Sequence, residues 1–182
     1  MNNVFIDCGA YNGDSIEEFK NWSKIAFPDR KNWELFAFEP NPKFKEYWET
    51  QTHENLTFSN MAVWIEDTEL EFAVDQSDEP LGSSLMKSKK NVWDKSPKIK
   101  VQAFDFSEWI KQFKDDFVVL KMDCEGAEFK VLPKMIADGT DTIPYVMMVE
   151  FHPNKVRDYT TEDKNAIVRK LQKHGVNILE WH

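Results

Sequence analysis

Short apolar runs alternate along this chain with segments whose apolar residues recur at helical spacing. The mainly apolar runs that predict buried strands are residues 4–6, 35–38, 117–122 and 145–149. Helical spacing predicts helices around residues 16–26, 131–136 and 167–171. Strands that are apolar on both faces and alternate with helices predict an α/β fold, with a mostly parallel sheet and helices on both faces.

The middle of the chain departs from this alternation. Residues 56–64 predict a third strand, and residues 70–74 alternate like a hairpin arm that turns back against it. Residues 75–97 form one long polar stretch, which we interpret as a lid or a flexible loop with a solvated, lysine-rich end. Short strands are also expected at residues 98–104 and 176–179.

Composition limits the expected partners and location. Across 182 residues, 32 acidic against 23 basic side chains give a formal net charge of −9. Because phosphate backbones and anionic membranes attract basic surfaces, we expect neither nucleic acid nor a membrane surface as partner. No secretory signal and no apolar run of bilayer length are visible. Two cysteines, Cys8 and Cys124, are too few for a disulfide scaffold, so we expect one cytoplasmic domain over residues 1–182 with reduced thiols.

The first two predicted strands end in residues that suit a nucleoside ligand. In open parallel sheets, ligands bind beyond the carboxyl ends of the strands. The turn DCGAYNGDS follows the first strand, and its Gly9 and Gly13 let the backbone approach a ligand closely. Tyr11 stands where a dinucleotide fingerprint has glycine, which favours a ligand without pyrophosphate. Glu39 follows the second strand, and it either accepts hydrogen bonds from ribose hydroxyls or is a solvent-exposed strand end.

The next two buried strands end in a dense group of charges. The stretch KMDCEGAE contains Lys121, Asp123, Glu125 and Glu128. Lys121 and Asp123 share one strand face, and a buried lysine needs a carboxylate partner. Glu128 is expected only to decorate the first turn of the following helix. The stretch EFH at residues 150–152 places two polar side chains on one side, and its histidine is either a general base or a structural residue.

Several of these motifs occur together, in a fixed order: FIDCGAYNGDS at 5–15, FEPNP at 38–42, LKMDCEGAE at 120–128, and the weaker NMAV at 60–63 and GSSL at 82–85. In this combination the chain resembles the FkbM family of S-adenosylmethionine-dependent methyltransferases, from residue 4 to about residue 153. The resemblance implies a Rossmann-like class I methyltransferase fold. That fold usually has two more strands after the fifth. Here only one fits, so the C-terminal end of the sheet is expected to be trimmed or completed by another subunit.

The resemblance also implies roles for the residues at the strand ends. The cofactor-binding residues would be Asp7, Gly9, Ala10, Gly13, Asp14 and Ser15 around the methionine portion, Glu39 and Pro40 at the ribose, Asn60, Met61 and Ala62 near the adenine, and Asp123 near the sulfonium. The catalytic residues would be Lys121, Asp123, Glu125, Glu150 and His152.

The activity that the resemblance implies is transfer of a methyl group from S-adenosylmethionine to a hydroxyl of a sugar, a glycan or a small metabolite. A hydroxyl is a poor nucleophile, so Glu125, Glu150 or His152 is expected to accept its proton, while Asp123 and Lys121 organise the cluster. These carboxylates could also bind a divalent metal, Mg²⁺ or Mn²⁺, but we do not expect one. Assembly into a homodimer stays open. Two other functions also stay open: a different Rossmann-type nucleotide enzyme such as a dehydrogenase, and a non-catalytic domain that binds S-adenosylmethionine or a protein partner.

Overall fold

The computed structural model of this chain describes residues 1–50, 54–77, 82–153 and 155–181. The strands in this part of the chain are β1 (Asn3–Cys8), β2 (Trp33–Phe38), β3 (Leu56–Ser59), β4 (Ala62–Trp64), β5 (Thr68–Ala73), β6 (Lys98–Asp105), β7 (Phe117–Met122), β8 (Pro144–Val149) and β9 (Asn177–Glu180). The α-helices are α1 (Asp14–Ala26), α2 (Lys45–Thr50), α3 (Lys90–Trp93), α4 (Phe106–Trp109), α5 (Glu128–Asp138) and α6 (Thr161–Lys173). Among these described helices, none has the length and apolar character needed to cross a bilayer.

The largest element is a parallel sheet with the strand order β3-β2-β1-β7-β8-β9. The predicted mostly parallel α/β sheet is therefore confirmed. Chain order reverses between β1 and β7, and such a reversal leaves a crevice at the carboxyl ends of the two strands. At the other edge, β9 pairs in parallel with β8, and it is the last strand of this sheet within the described residues.

Alternate side chains of β1 enter two different cores. Val4 and Ile6 belong to the core that also contains Leu132 of α5. Phe5 belongs to the opposite core, where its ring stacks on that of Phe19 in α1 at 3.7 Å between centroids. Because successive side chains of a strand point to opposite faces, strands that are apolar throughout need helices on both sides of the sheet. Helices α1 and α5 provide this cover.

The predicted hairpin between residues 56–64 and 70–74 is wrong. The first half of the run 56–64 is β3 in the main sheet, and the second half is β4 in a small sheet of order β4-β6-β5. Strand β4 is parallel to β6 and β5 is antiparallel to it, so β6 separates the two segments expected to pair. At the break, the Asn60 side-chain amide donates to the Glu39 carbonyl oxygen at 2.6 Å. The small sheet buries its own apolar residues, Ala62, Phe72, Val101 and Ala103.

In the stretch 75–97 the structure describes residues 75–77 and 82–97, and residues 78–81 lie outside the described part. Ser84 pairs with Ala73 in an isolated antiparallel bridge that extends the small sheet, and α3 follows. Lys89 is only 5% exposed. The expectation of a solvated lysine-rich end is therefore wrong at Lys89, because this side chain enters the site described below. That this stretch forms a lid stays a prediction.

The junction between β1 and β7 depends on Gly9. Its backbone has φ +85°, in the left-handed region, and an ideal Cβ at this position would lie 1.9 Å from the Asp123 carbonyl oxygen. Just beside it, the Asp123 amide donates to the Cys8 carbonyl oxygen at 2.9 Å. Only a residue without a Cβ lets the two strand ends approach this closely.

We expect Gly9→Ala to lower the free energy of unfolding by about 1–3 kcal/mol more than Gly139→Ala. Both substitutions place a Cβ on left-handed backbone, but only at Gly9 does this Cβ also clash with a neighbouring strand end. Gly139 also has positive φ, +73°, but a Cβ there would meet nothing within 4 Å. Urea unfolding of the two variants measures the difference. Equal losses would show that backbone conformation, and not contact with Asp123, explains the glycine.

Candidate active site

A cavity opens at the carboxyl ends of β1, β2 and β7, where the chain order of the sheet reverses. Its empty volume is about 680 Å³, part of which is open to solvent. Gly9, Glu39 and Asp123, which lie far apart in the sequence, all line this cavity. Apolar side chains form much of the remaining wall: Phe38, Phe44, Ala62, Val63, Phe72 and Leu85. A largely apolar cavity with a few convergent polar groups is typical of a small-molecule site.

Glu39 is held by the backbone at the edge of this cavity. Its Oε1 accepts a hydrogen bond from the Asn41 amide at 2.8 Å, and its Oε2 accepts one from the Tyr11 amide at 3.1 Å. Burial raises the pKa of Glu39 to about 7, although these two amide donors oppose the shift. The alternative that Glu39 is a solvent-exposed strand end is therefore wrong, since its side chain is buried and oriented.

Lys121 lies beneath the cavity and connects the turns after β1 and β7. Its Nζ is 3.0 Å from Asp7 Oδ1 and 3.7 Å from Asp123 Oδ2, and it donates to the Gly9 carbonyl oxygen at 2.7 Å. The predicted carboxylate partner of this buried lysine is thus confirmed. Burial lowers the pKa of Lys121, but the charges of Asp7 and Asp123 outweigh that effect and raise it, so the side chain stays charged.

His152 lies at the centre of a group of acidic side chains. Its Nδ1 is 3.0 Å from Glu128 Oε1. Its Nε2 is 3.4 Å from Glu125 Oε1, 3.4 Å from Glu150 Oε1 and 3.6 Å from Asp123 Oδ1. Burial lowers the pKa of His152, but Glu125 and Glu128 outweigh it and raise the pKa to about 10. The imidazole therefore keeps its proton at neutral pH when it has only these neighbours.

Asp123 and Glu125 are two residues apart but have opposite pKa shifts. Burial raises the pKa of Asp123 to about 6, although Lys121 opposes this. Burial also raises the pKa of Glu125, but His152 and Lys89 outweigh it and lower that pKa to about 2. Lys89 forms a buried ion pair with Glu125 Oε2. The neighbours of each carboxylate, and not its chemistry, therefore decide how strongly it binds a proton.

The loop that carries Glu125 is strained and anchored from the stretch 75–97. Glu125 has φ +52°, and Tyr11, which faces the same cavity, has φ +44°. Such conformations are costly for residues other than glycine and cluster at functional sites. The Ser84 hydroxyl donates to the Glu125 carbonyl oxygen at 2.8 Å, and Lys89 Nζ also donates to the Gly82 carbonyl oxygen at 2.8 Å. The small-sheet side of the cavity is therefore bonded to the loop after β7.

The residues predicted from sequence fall into three groups around the cavity. Those that line it are Gly9, Glu39, Pro40, Ala62, Asp123 and Glu125. A second group does not line it but is linked to lining residues: Asn60 contacts Glu39, Lys121 and His152 contact Asp123, Asp7 pairs with Lys121, Ser15 donates its hydroxyl hydrogen to Asp7 Oδ2, and Glu150 lies beside His152. The remainder lie further along the first turn or in the core: Ala10, Gly13, Asp14 and Met61.

Sequence reasoning missed four residues that shape the site. Tyr11 and Asn41 act through backbone amides, which no side-chain pattern reveals. Lys89 lies in a polar stretch with nothing local to distinguish it from its neighbours. The expectation that Glu128 only decorates a helix end is wrong, because this carboxylate is fully buried and accepts hydrogen bonds from the amides of His152 and Gly126 at 2.9 Å and 2.8 Å.

Two thiols lie near the same strand ends. Cys8 and Cys124 are both free, and Cys124 faces the cavity. Burial raises the pKa of each well above its ordinary value. Both are therefore protonated and poorly nucleophilic at neutral pH.

We expect Lys121→Met to lower the free energy of unfolding by about 3–5 kcal/mol, because it leaves the Asp7 charge buried without its partner. Adding Asp7→Asn should restore part of this loss, since the double variant no longer buries the Asp7 charge and leaves only the more exposed Asp123 without Lys121. Urea unfolding at pH 7 measures both. As a control, Lys100→Met breaks an exposed ion pair with Glu69 and should leave the midpoint unchanged. A Lys121→Met variant as stable as this control would contradict the assigned role of the buried pair.

Comparisons with known proteins show the family to which the chain belongs. A family model described as "Methyltransferase FkbM domain" matches residues 7–178. The structure is similar to the crystal structure of methyltransferase FkbM from Methylobacillus flagellatus KT at 2.20 Å resolution, with a TM-score of 0.50 and 16% sequence identity. The similarity covers 92% of this chain but 37% of that one, so the chain spans little more than a third of that protein's length. No curated protein matches. Because the family model matches nearly the whole sequence, the chain belongs to the FkbM methyltransferase family.

Proposed function

We propose that this chain transfers the methyl group of S-adenosylmethionine to a hydroxyl group of a sugar or another small hydroxylated molecule. The observation that carries the proposal is the convergence of Gly9, Glu39 and Asp123 on one cavity at the switch point of the sheet. Membership of the FkbM family supports the reaction class. The choice of a hydroxyl acceptor is supported by the acidic groups beside the cavity, which suit proton removal.

The residues around the cavity fit the proposed cofactor. Each Glu39 oxygen accepts one backbone hydrogen bond and retains a lone pair that can accept another, which suits the two ribose hydroxyls. The apolar wall, with Phe38, Phe44 and Ala62, suits an adenine ring. Asp123 supplies negative charge at the cavity surface, which suits a sulfonium. When bound, S-adenosylmethionine supplies an electrophilic methyl carbon attached to positively charged sulfur.

The acceptor hydroxyl must lose its proton as the new bond to carbon forms. Two members of the cluster are poorly suited to accept it: Glu125 has a low pKa and is paired with Lys89, and His152 already carries a proton. Glu128 is fully buried and bonded to Gly126 and His152, which leaves two carboxylates. Asp123 lines the cavity and has a pKa of about 6, and the Glu150 side chain is 30% exposed beside His152. We assign proton acceptance to this pair.

The remaining contribution of the protein is alignment and exclusion of water. A displacement at carbon requires the hydroxyl oxygen to lie in line with the bond that breaks. Ser83 and Leu85, from the stretch 75–97, line the cavity opposite the strand ends. This position supports the interpretation of that stretch as a lid over the acceptor, which would keep water from competing for the methyl group.

Binding of S-adenosylhomocysteine should depend on pH through Glu39. The ionised carboxylate accepts hydrogen bonds from the ribose, so the affinity should rise as pH rises through about 7 and level off above it. If only the ionised form binds, the affinity at pH 6 is about tenfold below its plateau. Besides burial, Lys121 lowers and Asp7 raises the pKa of this group. Calorimetric titration at several pH values measures the profile.

The control for this titration is a pair of glutamate variants. Glu39→Gln should bind more weakly and lose the inflection near pH 7, while Glu46→Gln on the exposed side of α2 should leave the wild-type profile unchanged.

NAD⁺ should not bind, because the turn after β1 has Tyr11 where a pyrophosphate site needs glycine. Failure of S-adenosylhomocysteine to bind at any pH would overturn the proposed function.

Removing the proton acceptors should reduce turnover without abolishing cofactor binding. We expect Asp123→Asn and Glu150→Gln each to lower the rate by about 10²–10⁴-fold, the range for loss of general-base catalysis. The measurement is methyl transfer from labelled S-adenosylmethionine to a panel of sugars, glycans and hydroxylated metabolites. Exposed Glu69→Gln is the matched carboxylate control. Full activity in both cluster variants would remove these residues from the proton transfer step.

A further inference from the structure

We propose that Asp123, Glu125 and His152 form a binding site for a divalent transition-metal ion of the Mn²⁺ class, at the edge of the cavity. The binding site is argued from the geometry, charge and chemistry of the residues present. Its role in catalysis rests on the proposed methyl transfer.

The three side chains present suitable ligand atoms close together. One atom from each lies within 4.8 Å of the other two. The His152 Nε2 is 3.4 Å from Glu125 Oε1 and 3.6 Å from Asp123 Oδ1. Two ligands bound to one ion at about 2.1 Å are separated by about 3.0 Å at right angles and about 4.2 Å when opposite. These distances therefore allow one ion to bind all three residues with only small side-chain movements.

The imidazole of His152 is oriented as in known metal centres. Glu128 is fully buried, and its Oε1 accepts from the His152 amide at 2.9 Å and lies 3.0 Å from Nδ1. Its Oε2 accepts from the Gly126 amide at 2.8 Å, so the carboxylate cannot rotate freely. A carboxylate that accepts the Nδ1 hydrogen leaves the Nε2 lone pair available to a metal, and metal-bound histidines commonly have such a partner.

The Nε2 atom lacks a hydrogen-bond partner in the described part of the chain, although His152 is only 2% exposed. The three carboxylates nearest to Nε2 are at 3.4–3.6 Å, beyond the usual hydrogen-bond length. Buried polar atoms without partners are rare and costly in folded proteins. A metal ion between Nε2 and these oxygens would satisfy the nitrogen, and this observation is independent of the acidic cluster itself.

The charge of the cluster also favours a cation. In the part of the chain that the structure describes, five carboxylates lie around the His152 imidazole and the side chains of Lys89 and Lys121: those of Asp7, Asp123, Glu125, Glu128 and Glu150. A metal ion at Nε2 takes the place of the proton that His152 otherwise keeps, and with the imidazole neutral three negative charges are left without a counterion. A divalent ion would reduce this excess to one, and buried charges require such compensation.

The ligand set indicates which ions to expect. Carboxylate oxygens suit Mg²⁺, Ca²⁺ and Mn²⁺, whereas an imidazole nitrogen favours first-row transition metals, so Mn²⁺ satisfies both. In methyl transfer, the ion would bind the acceptor hydroxyl oxygen and lower the pKa of that hydroxyl. The oxygen then forms a bond to the methyl carbon, the carbon–sulfur bond breaks with its electron pair left on sulfur, and the proton passes to Glu150. With the ion bound, Asp123 is therefore a ligand, and of the pair assigned to proton acceptance only Glu150 accepts the proton.

The experiment uses the full chain, stripped with EDTA and titrated with Mn²⁺ alone. Electron paramagnetic resonance of free Mn²⁺ should show one saturable site per chain. His152→Gln should abolish the site, and Glu128→Gln, which removes only the orienting carboxylate, should weaken it by about 10–100-fold. His174→Gln is the matched control, because His174 pairs with Asp141 far from the cluster, and it should bind Mn²⁺ like wild type. If His152→Gln does not fold, Glu125→Gln replaces it.

Absence of a saturable Mn²⁺ site, or equal binding in His152→Gln and wild type, would overturn the inference. Its failure can be distinguished from failure of the proposed function by calorimetry with S-adenosylhomocysteine. If the stripped protein shows no saturable Mn²⁺ site but binds S-adenosylhomocysteine and transfers methyl groups at the full rate in EDTA, the metal inference is wrong and the proposed function stands. If Mn²⁺ binds at this site and S-adenosylhomocysteine does not bind, the metal inference stands and the proposed function is wrong.

Discussion

The buried ammonium group of Lys121 is the interaction on which the rest of the site depends. It pairs with Asp7 on β1, lies close to Asp123 after β7, and donates to the carbonyl oxygen of Gly9 between them. Without this cation, two carboxylates would face each other in a region with little water, where an uncompensated charge is very costly. Gly9 permits the two strand ends to approach closely without a steric clash. This approach is favourable only because the charge of Lys121 compensates the charges of the two carboxylates.

The same burial explains why similar side chains around the cavity behave differently. Glu39 and Asp123 have raised pKa values, of about 7 and 6, because burial outweighs their hydrogen bonds and counterions. Glu125 has a pKa of about 2 because Lys89 and His152 flank it. A site that contains carboxylates of such different proton affinity can bind a cation, accept a proton and accept hydrogen bonds at one pH, with a different residue for each task.

The cavity has two unlike sides, and they come from different parts of the fold. The carboxyl ends of β1, β2 and β7 contribute the glycine turn and the carboxylates, as expected of a doubly wound sheet. The small sheet and the stretch after it contribute apolar wall residues such as Phe72 and Leu85, together with the Lys89 ammonium that pairs with Glu125. The acidic cluster is therefore completed by a segment outside the main sheet, which couples the conformation of that segment to the charge at the site.

Local pattern was enough to predict the parallel sheet, the helices on both faces and the approximate positions of Gly9, Glu39 and Asp123 at strand ends, because apolar periodicity and turn glycines are properties of neighbouring residues. Tertiary structure alone decided the split of residues 56–64 between two sheets, because pairing with β6 is a contact between distant segments. It also decided the burial of Lys89 and Glu128. A charged side chain is stable in the interior only when a partner meets it there, and both partners, Glu125 and His152, are supplied by the fold and not by adjacent sequence.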